Sequence, residues 1–300
     1  MKQLINSVSS YLKQEFGEKT VKLAIDGGFT CPNRDGTKGF GGCLFCSEGG
    51  GGDFASTIED QINLLSEKWP KAKYLAYFQN HTNTYAPVDV LRKKYYEALD
   101  NPLISGIAIA TRPDCINDEV LDLLSEINEK HFLWVELGLQ TIHNETAELI
   151  NRCYDLPVFD KAISALCERG IKVVVHLILG LPGESRDDMI ESVKYVCSSG
   201  AWGLKLHLLN VVKGSRMEKD YSEYNSFPSI DDYVSFVCDL LEIIPPEIVI
   251  HRMTGDAPRN ILITPEWSYR KRTILNGINS ELHLRGSYQG CKYIKKAQRL

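Results

Sequence analysis

Seven short runs of β-branched and other apolar residues recur along this 300-residue chain, and they constrain the fold more than any other feature. They are VKLAI from Val21, YLAYF from Tyr74, SGIAIA from Ser105, FLWVELGL from Phe132, KVVVHLIL from Lys172, LKLHLLNVV from Leu204 and EIVIHRM from Glu247. Each reads as a strand buried on both faces. Helical patterns with recognisable starts lie between them. Ser56 with Glu59 reads as a capping box ahead of Ile58, Ile62, Leu65 and Trp69, and Pro87 precedes Val88, Leu91, Tyr95 and Leu99. Asn117 caps Val120, Leu124 and Ile127; Ser185 with Asp188 opens a helix ending near Gly200; Ser229 with Asp232 opens one carrying Val237, Leu240 and Leu241. Strand and helix alternate six times at intervals of about thirty residues, the rhythm of βα units. The expected fold is α/β, a partial (β/α)6 TIM-like barrel over residues 21–246. An N-terminal helical segment (1–20) precedes it and a small basic C-terminal extension (247–300) follows. With 43% hydrophobic residues the chain can bury one large core.

In barrel-type folds the chemistry sits in the loops after the C-terminal strand ends. The stretch FTCPNRDGTKGFGGCLFCSEGGGG, Phe29 to Gly52, follows the first run and so belongs to that face. It is too long for a plain connector. Cys31, Cys43 and Cys46 are spaced C-x11-C-x2-C, so two thiolates reach one metal centre while the Gly41-Gly42 approach lets the third close around it. Structural zinc would want a fourth ligand, yet no histidine lies between Met1 and Asn80 and there is no second C-x2-C. A thioredoxin-like couple leaves Cys31 and the glycine-rich loop without purpose. A [4Fe–4S] cluster held by three cysteines leaves one iron open to an exogenous ligand. S-adenosylmethionine (SAM) suits that position: its amino and carboxylate groups chelate the iron, and one electron cleaves the sulfonium to a hydrogen-abstracting 5′-deoxyadenosyl radical. Phe45, inside the C-x2-C, is the aromatic expected to shield the cluster and adjoin adenine, and packing explains it equally well.

The remaining cysteines carry no framework. Nine is an odd count, so reduced thiols are expected. Cys115, Cys153, Cys167, Cys197 and Cys238 read as small buried apolar residues, and nothing near Cys291 suggests a ligand partner. The longest apolar run, VVVHLILGL, is far short of the ~20 residues that span a bilayer. A soluble, cytoplasmic protein with no membrane partner is expected.

Charge is segregated. His251 to Leu300 holds ten basic and three acidic residues, +7 against −5 for the whole chain, leaving −12 elsewhere. Arg270, Lys271, Arg272, Lys292, Lys295 and Lys296 are the candidates for contact with RNA phosphates, although a charged segment of this kind is more often just a solvated face.

The motif CPNRDGTKGFGGCLFC, with QNHTNTYAP (79–87), ATRPDCI (110–116), ELGLQT (136–141), HLILGLPGE (176–184), RMTGDAP (252–258) and LRGSYQG (284–290), resembles the YhcC/YtqA-type radical SAM proteins over nearly the whole chain. It is similar, more distantly, to the radical SAM domain of the elongator catalytic subunit, which modifies wobble uridines in tRNA. The resemblance implies a radical SAM partial barrel, a [4Fe–4S] cluster on Cys31, Cys43 and Cys46, SAM as second cofactor, and a reduced flavodoxin- or ferredoxin-like electron donor. It places Gln79 at the methionine amine with Asn80, Thr82 and Asn83 as neighbours. Glu136 and Gln140 are placed at the ribose hydroxyls or methionyl group, and Gly180 in the adenine-contacting turn. A buried Glu136 requires a partner, for which Arg112 is the candidate. Arg112 with Asp114, and Arg252 with Asp256, form pairs expected at the cavity or as structural ion pairs. His176 and His207 are expected as hydrogen-bonded core or cavity-wall residues, and Tyr85, Tyr288 and Trp267 as core or base-stacking aromatics.

The long first cysteine gap departs from the usual three residues and resembles the elongator-like branch. The chain has no room for that subunit's acetyltransferase domain, so acetyl-CoA chemistry is not carried over. The leading expectation is a tRNA enzyme that remodels carboxymethylaminomethyluridine toward aminomethyluridine. The competitors are a radical SAM enzyme acting on a peptide or small metabolite, and a non-catalytic iron–sulfur electron carrier or RNA-binding module.

Overall fold

The computed structural model describes residues 3–52, 54–255 and 257–294. Its strands are β1 (Thr20–Ile25), β2 (Lys73–Phe78), β3 (Ile104–Thr111), β4 (Phe132–Gln140), β5 (Lys172–Leu179), β6 (Gly203–Leu208), β7 (Val211–Val212), β8 (Val249–Arg252) and β9 (Leu262–Thr264). Seven of them form one parallel sheet in the order β1-β2-β3-β4-β5-β6-β8. Sequential parallel order with helices between is the arrangement of a partial TIM barrel.

Two boundaries differ from those expected. LKLHLLNVV is not one strand: β6 ends at Leu208, and Val211–Val212 turns away to pair antiparallel with β9. The extension expected from residue 247 begins inside the sheet, because β8 pairs with β6 through Gly203↔Val249 and Leu204↔Ile250. Val249 and Ile250 are buried there, so the seventh apolar run closes the sheet after the six βα units.

The helices are α1 (Val8–Phe16), α2 (Ile58–Ser66), α3 (Val88–Leu99), α4 (Asp118–Lys130), α5 (Asn144–Leu149), α6 (Leu156–Glu168), α7 (Arg186–Ser198), α8 (Met217–Asp220), α9 (Ile230–Ile243) and α10 (Lys271–Leu284). Asn117, Ser185 and Ser229 cap α4, α7 and α9 through the expected N3 amides, with the full reciprocal box at Ser185 and Asp188. Such caps are each worth about 1 kcal/mol. At α2 the cap is Thr57, whose side chain accepts from the Asp60 amide, and not Ser56. Ser56 is committed elsewhere: its backbone bridges Ile25 and its hydroxyl accepts from Gln61 at 2.9 Å.

Alternation along each strand sorts side chains outward to the helices and inward to the barrel axis. The outward set (Leu23, Ile109, Val135, Val175 and Leu206 among others) joins the helices in the main core. Inside, Leu75, Ala108, Trp134 and Val174 form an apolar floor closed by Leu12 of α1. Tyr11 of that helix meets Trp202 edge-on at 4.9 Å. The Asn6 carbonyl accepts from the Ile250 amide at 2.7 Å, and the Asn6 amide donates to Gln289 Oε1 at 2.9 Å, so both ends of the described chain clasp β8. Among the described residues no helix is long and apolar enough to cross a membrane.

Candidate active site

A cavity of about 450 Å³ opens at the C-terminal ends of the strands. Cys31, Cys43 and Cys46 all line it, delivered by the long loop after β1. The loop is organised by its own backbone: Cys31 O accepts from the Arg34 amide at 2.8 Å, Cys43 O from the Cys46 amide at 3.1 Å, and Asn33 O from the Gly42 amide at 2.8 Å. Gly41 and Gly42, at φ of 75° and 77°, turn the chain into Cys43 through the left-handed region that favours glycine. The segment after α5 braces it from the other side, with Asn151 Nδ2 donating to Gly42 O at 2.8 Å and the Leu44 amide donating to Ile150 O at 2.9 Å.

Electrostatics split the C-x2-C pair: the shared hydrogen bond and burial push the Cys46 thiol well up while Cys43 is favoured as the anion. The Cys43 thiol is pulled down to about 6, first by its hydrogen bond with Cys46 and then by Arg112, Asn33 and Arg34, against the effect of burial. Asn33 Nδ2 donates to Cys43 Sγ at 3.4 Å. Among the described residues, the three cysteine sulfurs are not a set lying within 4.8 Å of one another; only His143, Asp188 and Glu191 offer three such donor atoms. Three cavity-lining thiols with no histidine beside them in the loop form the donor set that a [4Fe–4S] cluster takes, one thiolate per iron.

Of the other predicted residues, Gln79, Gln140, Glu136 and Phe45 line the same cavity. Gln79 donates to Gly51 O at 2.9 Å, tying the end of β2 to the glycine-rich loop. Gln140 adopts φ 66°, and the absent Cβ of Gly138 leaves room for its amide. Phe45 faces the cavity on one side and on the other joins the apolar cluster of Leu44, Ile150, Ile178 and Leu209. Thr82 and His81 line the cavity with Oγ1 and Nδ1 buried and unpartnered, whereas Asn83 is spent on the carbonyls of Phe78, Asn80 and Ala110. The orphaned atoms are what a polar ligand would satisfy. His81, Gln140, Asn151 and Cys153 are the non-glycine residues with positive φ among those described: Gln140 ends β4 and the other three lie in loops at this face. Strained backbone gathers where a ligand is held.

Other expectations resolve differently. Gly180 does not line the cavity: its φ of 88° and missing Cβ admit Ser226 and Phe227, which leave no room for a side chain. Arg112 lines the cavity but is not the partner of Glu136. Its guanidinium is held by both oxygens of Asp114, at 2.9 and 3.0 Å, and by Arg152 O at 2.8 Å. Glu136 instead projects from the middle of β4 and accepts from Tyr77 (2.6 Å), Trp134 (2.8 Å), His176 (2.8 Å) and Lys205. Burial alone would raise its carboxyl, but Lys205, His176 and Lys22 hold it well below the ordinary carboxylate range. His176 and His207 line the cavity as expected, both kept neutral by burial. Lys22, Tyr77 and Lys205 were missed, although a lysine in the middle of VKLAI and another in LKLHL, on strands that should be buried, was the signal.

The basic segment divides. Arg270 lies exposed beside the Tyr269 ring, 5.6 Å from its centroid, with Arg259 over the same ring at 4.5 Å. Lys271 and Arg272 are exposed in the first turn of α10. Lys292 is paired with buried Glu242. Lys295, Lys296 and Asp256 lie outside the described residues. Trp267 packs on Tyr233, 5.8 Å between centroids, and the Tyr85 hydroxyl bonds Thr37 at 2.8 Å; neither lines the cavity, and nor does Tyr288. Cys153, read from sequence as plain core, sits against the cysteine loop with Sγ 3.1 Å from Asn33 Oδ1.

Residues 31–196 match the model of the Radical SAM superfamily, and residues 201–283 that of the Radical_SAM C-terminal domain. The chain is 50% identical to the uncharacterized protein YtqA of Bacillus subtilis over 95% of its own length and 91% of that protein's. It is 26% identical to tRNA uridine(34) acetyltransferase of Dehalococcoides mccartyi over 63% of this chain, spanning 40% of that one. The solved structure of archaeal Elp3 from Methanocaldococcus infernus, 18% identical, shares the fold with a TM-score of 0.64 over 77% of this chain, which spans 58% of that one. The chain belongs to the radical SAM superfamily, whose cofactors are a [4Fe–4S] cluster and SAM.

Proposed function

We propose that this radical SAM enzyme acts on tRNA, converting the carboxymethylaminomethyl group at C5 of a wobble uridine toward aminomethyl. The observation that carries the reading is its likeness to a relative named for uridine 34 of tRNA, in a chain whose barrel mouth carries the three-cysteine cavity. Bound cluster and SAM supply reductive cleavage of a sulfonium to a radical that abstracts hydrogen.

The chain's own residues do the rest. Cys31, Cys43 and Cys46 would hold the cluster, and Asn33 donates to the Cys43 sulfur. Gln79, Gln140 and Phe45, with the unpartnered His81 and Thr82, would line the SAM site. The apolar floor sealed by α1 keeps bulk water from entering the barrel from below. A base has to leave its stack to enter such a mouth. Arg270, Lys271 and Arg272 would position the phosphates outside it. Lys292, already paired with Glu242, is the weakest of the RNA candidates described.

A second reading, a peptide or small-metabolite substrate, draws on the same fact: Arg285 and Lys292 are spent on Asp239, Glu242 and Glu281, so part of the basic excess is structural. The test incubates reduced, cluster-loaded protein with SAM and tRNA bearing carboxymethylaminomethyluridine, followed by nucleoside mass spectrometry. Aminomethyluridine formed together with 5′-deoxyadenosine is the expected result. Formation of 5′-deoxyadenosine with unchanged tRNA would favour the second reading.

A further inference from the structure

We infer that the inner wall of the cavity is a carboxylate site in which Lys22, with Lys205 beside it, holds the acid end of the substrate's side chain. The inference rests on the proposed uridine substrate only for the identity of that acid.

Lys22 and Lys205 line the cavity from β1 and β6, and Glu136 is the one carboxylate among the described lining residues. Glu136 is already saturated by its four donors, Lys205 included. Lys22 gains nothing from it in direct contact. Its ammonium faces the rings of Tyr77 at 4.8 Å and Trp134 at 5.9 Å, and no hydrogen-bond acceptor is described for it. Lys22 is half-buried at the cavity wall, and ring faces offset a missing acceptor only in part. Burial disfavours its charge while Glu136 pulls the other way. An arriving carboxylate would supply the missing acceptor and the missing negative charge together.

A purely structural lysine accounts for this less well. Leu75 stands opposite Lys22 in register and belongs to the apolar floor with Tyr77 and Trp134, so an apolar side chain at residue 22 would pack on the same rings without desolvating a charge. Aromatic walls with a cation at their junction suit a short acid on an alkyl arm. The carboxymethylamino group of the proposed substrate is such an arm, and the aminomethyl product lacks it.

The test uses the wild-type full-length chain and needs no variant to fold. Lysine acylation is followed by mass spectrometry with N-ethylglycine, with N-methylethylamine (a comparable fragment without the acid), or with inorganic phosphate, each Lys22 rate being taken relative to that of exposed Lys93 so that acylation of the added amine cancels. N-ethylglycine should slow labelling of Lys22 about tenfold at saturation, the amine should leave it unchanged, and phosphate should protect less. Equal rates with fragment and amine, or protection by phosphate alone, would overturn the inference. Calorimetry with nucleosides then separates the two proposals. Carboxymethylaminomethyluridine should bind at least tenfold tighter than aminomethyluridine, with the preference lost in Lys22→Met. Protection of Lys22 by N-ethylglycine with no binding of either nucleoside would sustain the carboxylate site and refute the uridine substrate.

Discussion

The Tyr77 hydroxyl donates to Glu136 Oε2 at 2.6 Å, joining β2 to β4 across the inside of the barrel. Lys205 of β6 bonds both partners, at 2.8 Å to the Tyr77 oxygen and directly to the carboxylate. Three strands are thus tied by one buried ion pair and a phenol above an apolar floor. Removing one member strands the other.

Glu136→Gln should therefore cost about 3–5 kcal/mol of unfolding free energy, because it leaves the Lys205 ammonium buried without its counter-charge. Urea denaturation measures this. The double variant Glu136→Gln with Lys205→Met should recover part of the loss, and a single-variant cost under about 1 kcal/mol would mean that the pair is not desolvated.

Acid should weaken the fold through His176 and His207, half-buried on the cavity wall. Burial lowers His176 to about 4 and His207 to about 3 from an ordinary 6.5. The unfolded chain then binds more protons than the folded one in that window, so stability is full above 6.5 and falls as pH drops toward the folded values. Each such histidine contributes a slope of up to about 1.4 kcal/mol per pH unit. Urea midpoints between pH 7 and 5 should decline in the wild type and less in His207→Gln; identical slopes would count against a neutral His207.

RNA contact should reside in the first turn of α10. Reversing Arg270, Lys271 and Arg272 to glutamate should collapse tRNA binding and flatten its salt dependence by roughly 0.7–0.9 in log–log slope for each phosphate no longer neutralised. Lys292→Glu should instead lower stability, since Lys292 pairs with buried Glu242. Anisotropy titrations of labelled tRNA across salt concentrations distinguish them, and salt-insensitive binding would contradict phosphate contact.

Cluster loading should separate ligands from neighbours. Cys31→Ala, Cys43→Ala and Cys46→Ala should each lose the visible absorbance of the reconstituted protein, whereas Cys153→Ala should retain about four irons per chain. Loss of iron from the Cys153 variant would make it a ligand.

The strands were legible in the sequence because parallel strands buried on both faces read as apolar runs, and the cysteine loop because its spacing has few other uses. Where reading failed, tertiary context decided. Ser56 lost the cap of α2 to Thr57 because its backbone joins β1. Val211–Val212 left the sheet for β9, a partner about fifty residues away that no local pattern announces. Arg112 was the plausible partner of Glu136 by chain position, but inward alternation brought Lys205 and His176 to it instead. Lys22 was missed although it interrupts an apolar run, because only the folded barrel shows that its ammonium faces the rings of Tyr77 and Trp134.

With Cys31, Cys43 and Cys46 as its ligands, a [4Fe–4S] cluster would keep one iron open to SAM. Electron paramagnetic resonance of the anaerobically reconstituted, reduced protein reads that open iron. A [4Fe–4S]⁺ signal that changes when SAM is added, and disappears in Cys43→Ala, is the predicted result. A signal indifferent to SAM, or protein isolated with a lone tetrahedral zinc, would contradict it.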